Sequence, residues 1–80
     1  MFNAKLANCV ADGSPIIQRH HLWQDGDEWV VLIDFPGGKY ATAIMDGKTG
    51  VLTSGHIFRE YDVAESDYLD RIQLCRLQVA

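Results

Sequence analysis

Apolar and polar positions alternate through the middle of the chain, and clusters of turn residues interrupt the alternation. Ile16 to Trp23 reads as a first strand, closed by Gln24-Asp25-Gly26-Asp27. An Asp-Gly pair between apolar runs marks a hairpin, because both residues tolerate the positive φ that a tight turn requires. Glu28 to Phe35 follows, with Trp29, Val31, Ile33 and Phe35 on one face of the pleat. Pro36-Gly37-Gly38 stops it, since Pro cannot donate to a ladder and two glycines permit a sharp reversal. Lys39 to Met45 is a third strand, and Asp46-Gly47-Lys48-Thr49-Gly50 the next turn. Val51 resumes an extended path, to Thr53 or on to Phe58, with Gly55 as a bulge.

The second strand is apolar on both faces at its centre, because Val30 and Leu32 stand between Glu28 and Asp34 opposite the Trp29 face. A sheet with one solvated face has no need of that, so each side requires a cover. After Tyr61 the pattern changes period. Asp62-Val63-Ala64-Glu65 reads as a helix start, with Asp62 as N-cap and Glu65 reaching back. At helical spacing Tyr68, Ile72, Cys75 and Val79 share one side, while Asp62, Asp67 and Asp70 share the other with Leu74 and Leu77. Those two leucines pose a choice. Either the helix ends near Arg71 and residues 72–80 turn into a strand, or the helix continues and the leucines meet another chain. The second cover is a short N-terminal helix, in which Phe2, Leu6, Cys9 and Val10 fall at helical spacing, or else a partner subunit. The expected fold class is therefore α+β: a three- to four-stranded antiparallel meander over about 16–60 with a C-terminal helix over about 62–71 or longer, residues 1–80 forming one small domain.

Composition narrows the function. The chain has 80 residues, 48% of them hydrophobic, with seven Lys and Arg against eleven Asp and Glu and a net charge of −4. That balance argues against direct nucleic-acid binding driven by phosphate contacts, and the apolar content against a disordered acidic tail. The longest apolar run, Trp29 to Ile33, is far short of a membrane span, and the first residues lack the layout of a signal peptide. Two cysteines exclude a disulfide scaffold and suit a cytoplasmic protein with free thiols, both Cys9 and Cys75 facing the core. The excess acid is concentrated: residues 25–28 sum to −3 and residues 60–70 to −5.

Several motifs imitate chemistry. Gly47-Lys48-Thr49 copies the end of a phosphate-binding loop, but Thr42 stands where the first Gly is needed and an extended segment follows, so it reads as a hairpin turn. Asp25-Gly26-Asp27-Glu28 lacks the third ligand and the glycine of a calcium loop. His20 and His21 point to opposite faces of a strand, and with His56 and the cysteines they show no metal-ligand spacing, so no metal or other cofactor is expected. Ser54 and His56, two apart on a strand, are the germ of a nucleophile–base pair without an evident third member, and no catalysis is expected.

The stretch from Glu60 to Asp70 packs Glu60, Asp62, Glu65, Asp67 and Asp70 into eleven residues without a Lys or Arg. Capping and the helix dipole account for Asp62 and Glu65 and less well for Asp67 and Asp70. These five, with Asp25, Asp27 and Glu28, are the candidate partner-binding residues. The leading expectation is a small acidic non-catalytic module that works stoichiometrically on a protein partner with a basic surface. One form this could take is a phage-type, anti-CRISPR-like inhibitor that occupies the nucleic-acid groove of a host nucleic-acid-handling or defence complex. One alternative is an assembly subunit, in the simplest case a homodimer, joined through its doubly apolar sheet. Another is a minimal metal protein or hydrolase using His20, His21, Ser54 and His56.

Overall fold

The computed structural model describes residues 8–22 and 27–79, the side chains of 75–79 excepted. Four strands, β1 (Ile16–His21), β2 (Glu28–Phe35), β3 (Lys39–Asp46) and β4 (Leu52–Phe58), are followed by one helix, α1 (Tyr61–Val79). The strands pair antiparallel in the order β1-β2-β3-β4. The expected α+β meander with a C-terminal helix is the observed fold. The expected end of the first strand at Trp23 and the turn through Gly26 lie outside the described residues.

Local chemistry explains the two described reversals. Phe35 pairs with Lys39 around Pro36-Gly37-Gly38, and the two glycines take φ of 86° and 72°, where a side chain would be strained. In the β3–β4 turn the Gly50 amide donates to the Asp46 carbonyl at 2.7 Å and the Lys48 amide to Asp46 Oδ1 at 2.7 Å. Gly47-Lys48-Thr49 is therefore a hairpin turn with the Lys48 amide already engaged, and a strand rather than a helix follows. Gly47 also lies against Trp29: a Cβ there would fall 2.8 Å from both the Asp27 carbonyl oxygen and Trp29 Nε1. Gly47→Ala is expected to destabilise by about 1–3 kcal/mol through overpacking. In a domain of this size each 1 kcal/mol lowers the midpoint of a thermal melt by roughly 4–8 °C. A melt unchanged from the parent would show that the turn yields freely.

The two faces of the sheet bury separate cores. Val31, Ile33, Ala41, Ala43 and Met45 form one, flanked by Ile16, Trp29, Phe35 and Leu52. Val10 joins it, held by a tight turn in which its amide donates to the Ser14 carbonyl and the Gly13 amide to the Val10 carbonyl. Val30 and Leu32 form the other with Ala64 and Tyr68 of α1, bordered by Tyr40, Ile44, Phe58, Tyr61 and Ile72. Val30, Val31, Leu32 and Ile33 are all inaccessible to solvent within the single chain, so the doubly apolar strand does not need a second copy to cover it. Burial pushes the Tyr68 phenol up from its ordinary pKa.

Two expectations need correction. Cys9 pairs with Pro15 in an isolated bridge and is exposed, so residues 9 and 10 are not helical and this thiol does not face the core. The alternation that puts Val10 inward at a strand-like bend puts its neighbour outward. The remaining N-terminal helix expectation, and the inward placing of the Cys75 side chain, lie outside what is described. The helix begins at Tyr61, where the Ala64 amide donates to the Glu60 carbonyl, so Asp62 sits inside the first turn rather than at the cap. Glu65 does not reach back to the backbone, because Gln18 and Tyr61 claim its carboxylate. Of the two courses left open for residues 72–80, the helical one is observed: α1 continues to Val79 without a break, which leaves Leu74 in solvent.

Candidate functional site

The carboxylates of the acidic stretch fall into different environments, set on α1 by their angle around the helix. Gln18 Nε2 on β1 donates to Glu65 Oε2 at 2.9 Å and to the Tyr61 hydroxyl at 3.0 Å, and the Tyr61 hydroxyl donates to Glu65 Oε2 at 3.1 Å. Glu65 thus ties the helix to the β1 side of the sheet. Asp67 ties it to the other side. Its Oδ2 accepts from the buried Thr42 hydroxyl on β3 and from Arg71 Nε at 3.0 Å, and lies 3.7 Å from His56 Nδ1 on β4. Arg71 also donates through Nη2 to the Ser54 carbonyl. Burial raises the Asp67 pKa, but the hydrogen bonds from Thr42 and Arg71 and the charges of Arg71 and His56 outweigh it and hold the carboxyl below its usual value.

Asp67 is therefore not on the solvent side with Asp62 and Asp70, as helical spacing alone predicts. The missing signal was short-range: Arg71 stands four residues after Asp67, one position beyond the acidic stretch, and is its i,i+4 partner. Glu60, Asp62 and Asp70 remain exposed, with no ion pair among the described residues. The other acidic group stands apart. Glu28 and Asp46 face each other across β2 and β3, while Tyr61 packs edge-on against Tyr40, at the opposite end of β3. Asp27 and Glu28 thus lie at the opposite end of the sheet from the carboxylates of 60–62, not on one flank with them. Asp27 is exposed and 3.8 Å from Lys48 Nζ, and Asp25 lies outside the described residues. Asp27, Glu28, Asp46 and Lys48 line an open recess of about 680 Å³.

The candidate catalytic residues are also separated. Thr42 pairs with His56 but Ile44 with Thr53, so β4 carries one residue more than β3 between those points, and Ser54 adopts φ of 55°. The expected bulge is present beside Gly55. It breaks the regular alternation on which a shared face for Ser54 and His56 depended; His56 stands beside Asp67 and edge-on to the Phe58 ring. His20 pairs with Val30 and His21 with Trp29, so they take opposite faces, and the His21 ring stacks on Trp29 at 4.5 Å. Among the described residues no three His, Cys, Asp or Glu side chains are placed to hold a metal ion, and no helix is long and apolar enough to cross a membrane.

What sequence reasoning undervalued is the outward side of α1. Apolar residues lie all around this helix instead of in one stripe. Val63, Leu69 and Leu74 are 48%, 55% and 59% exposed, interleaved with Asp62 and Asp70. Beside them a groove of about 410 Å³ runs between Phe58 and the helix. No protein-family model, no curated protein and no solved structure matches the chain, so the case for its function rests on these residues.

Proposed function

We propose that this chain is a non-catalytic protein-binding module that docks through the outward side of α1 onto a partner with a basic, partly apolar surface, acting stoichiometrically as an inhibitor or regulator. The observation that carries this is the composition of that side: Val63, Leu69 and Leu74 in solvent among Asp62 and Asp70, with Arg71 turned inward to Asp67 and Ser54. Apolar anchors within a charged rim are the anatomy of a binding surface. A nucleic-acid groove in a host complex is one basic surface of this kind. The mixture of apolar and acidic groups suits the protein walls of such a groove better than pure imitation of a phosphate row. A cytoplasmic setting accords with the free Cys9 thiol.

The geometry favours a different chain over a second copy. Two such surfaces brought together would oppose Asp62 and Asp70 with carboxylates, and both sheet cores are already closed.

The test is affinity capture at low and moderate salt, with the captured partner then purified and its affinity measured. Asp62→Lys with Asp70→Lys is expected to abolish capture, and Leu74→Ser to weaken the purified complex by roughly tenfold or more, as loss of an interface anchor does. Circular dichroism should report an intact fold in both. Asp67 is unsuitable as a probe because it holds the helix on the sheet. Affinity unchanged in both variants would refute the proposal.

A further inference from the structure

The groove between the end of β4 and α1 is lined by Phe58, Asp62, Val63, Ser66, Asp67 and Asp70. We infer that it seats one arginine side chain of the partner, an inference that rests on the docking function proposed above. Three observations converge. Phe58 and Val63 supply apolar surface along which an aliphatic stem can lie, and an aromatic ring on which a planar guanidinium can stack. Asp62 and Asp70 are eight residues apart, so they stand about 12 Å from each other along the helix, and both are exposed. Asp67 lines the groove between them, and every described bond to its carboxylate is made to Oδ2; among the described residues no donor reaches Oδ1. Arg71 and Thr42 keep this carboxylate ionised and fixed, so its second oxygen is a preorganised acceptor.

Arginine fits this arrangement better than lysine. A guanidinium presents several coplanar donors, stacks on an aromatic face and is weakly hydrated, whereas an ammonium is a compact, strongly hydrated point charge.

The experiment is an NMR titration of the isotopically labelled full chain with N-acetyl-arginine amide, beside N-acetyl-lysine amide and the neutral analogue N-acetyl-citrulline amide. The arginine probe should give saturable shifts centred on Phe58, Asp62, Ser66 and Asp70, and lysine a weaker set at the same residues. Citrulline should give none. Asp70→Asn should weaken the arginine response about two- to fivefold, the scale of one exposed ion pair. Equal responses to arginine and citrulline, an equal or stronger response to lysine, shifts gathered on Asp27, Glu28 and Asp46, or no saturable shift would each overturn the assignment. Loss of the arginine response with capture still abolished by Asp62→Lys and Asp70→Lys removes the seat and leaves the docking side standing. Capture that survives those reversals removes the docking function itself.

Discussion

Leu32→Ala is expected to cost about 2–5 kcal/mol, the range for truncating a fully buried leucine when the surroundings collapse only in part. Leu32 is inaccessible to solvent at the centre of β2, in the core that α1 closes with Ala64 and Tyr68. Stability of roughly 0.05–0.15 kcal/mol per residue gives a chain of this length about 4–12 kcal/mol in total, so one substitution removes a large part of it. Urea denaturation followed by circular dichroism measures the effect as a shift in midpoint. Ile57→Ala on β4 provides the contrast: this side chain is 56% exposed, and its loss should stay within about 0.5 kcal/mol. A Leu32→Ala cost no larger than that of Ile57→Ala would mean that the helix does not pack on the sheet as described.

Asp67→Ala is expected to destabilise by about 1–3 kcal/mol, because it strips the acceptor from a hydroxyl that has no access to water. Thr42 is fully buried in the centre of β3, and Asp67 is the partner of its hydroxyl. Removing both groups together should cost less than the sum: Thr42→Val deletes the stranded donor, so the double variant with Asp67→Ala recovers part of the loss. Strict additivity would show that the two side chains are not coupled. The same contact makes a pH prediction with a definite sign. The folded Asp67 carboxyl titrates below its ordinary value, so the unfolded chain takes up this proton first as pH falls. The stabilisation is fully present above the unfolded value of about 3.9 and is lost as pH drops through the lower, folded one. Asp67→Asn should remove this component of acid denaturation, leaving a shallower slope of stability below pH ~4 than the parent shows.

The contrast between Asp67 and Asp70 shows where sequence reasoning stops. Both lie beyond the first turn of α1, both belong to a run without an intervening base, and their identities differ in nothing. One is drawn onto the sheet by Thr42, Arg71 and His56; the other stays in solvent. Only the Arg71 contact, at a spacing of four, is legible along the chain. Thr42 and His56 come from strands 25 and 11 positions earlier, and their approach depends on where the helix crosses the sheet. Glu65 is similar: its spacing from Asp62 suits a capping box, yet Gln18, 47 residues away, binds it. Leu74 illustrates the opposite case. The conflict between an unbroken helix and an outward leucine was visible in the sequence, and the structure resolves it by keeping the helix and leaving Leu74 exposed.

By itself the sequence determined the strands, the turns that follow β2 and β3, the bulge beside Gly55 and the need to cover both sides of β2. These follow from interactions among residues close in the chain: two-residue alternation, the positive φ of Gly37 and Gly38, the missing amide of Pro36. Tertiary structure decided which acids are spent on holding α1 and which face outward. That outcome depends on the azimuth at which Ala64 and Tyr68 bury themselves over Val30 and Leu32. The angle is set by packing across the whole sheet, and no local spacing encodes it.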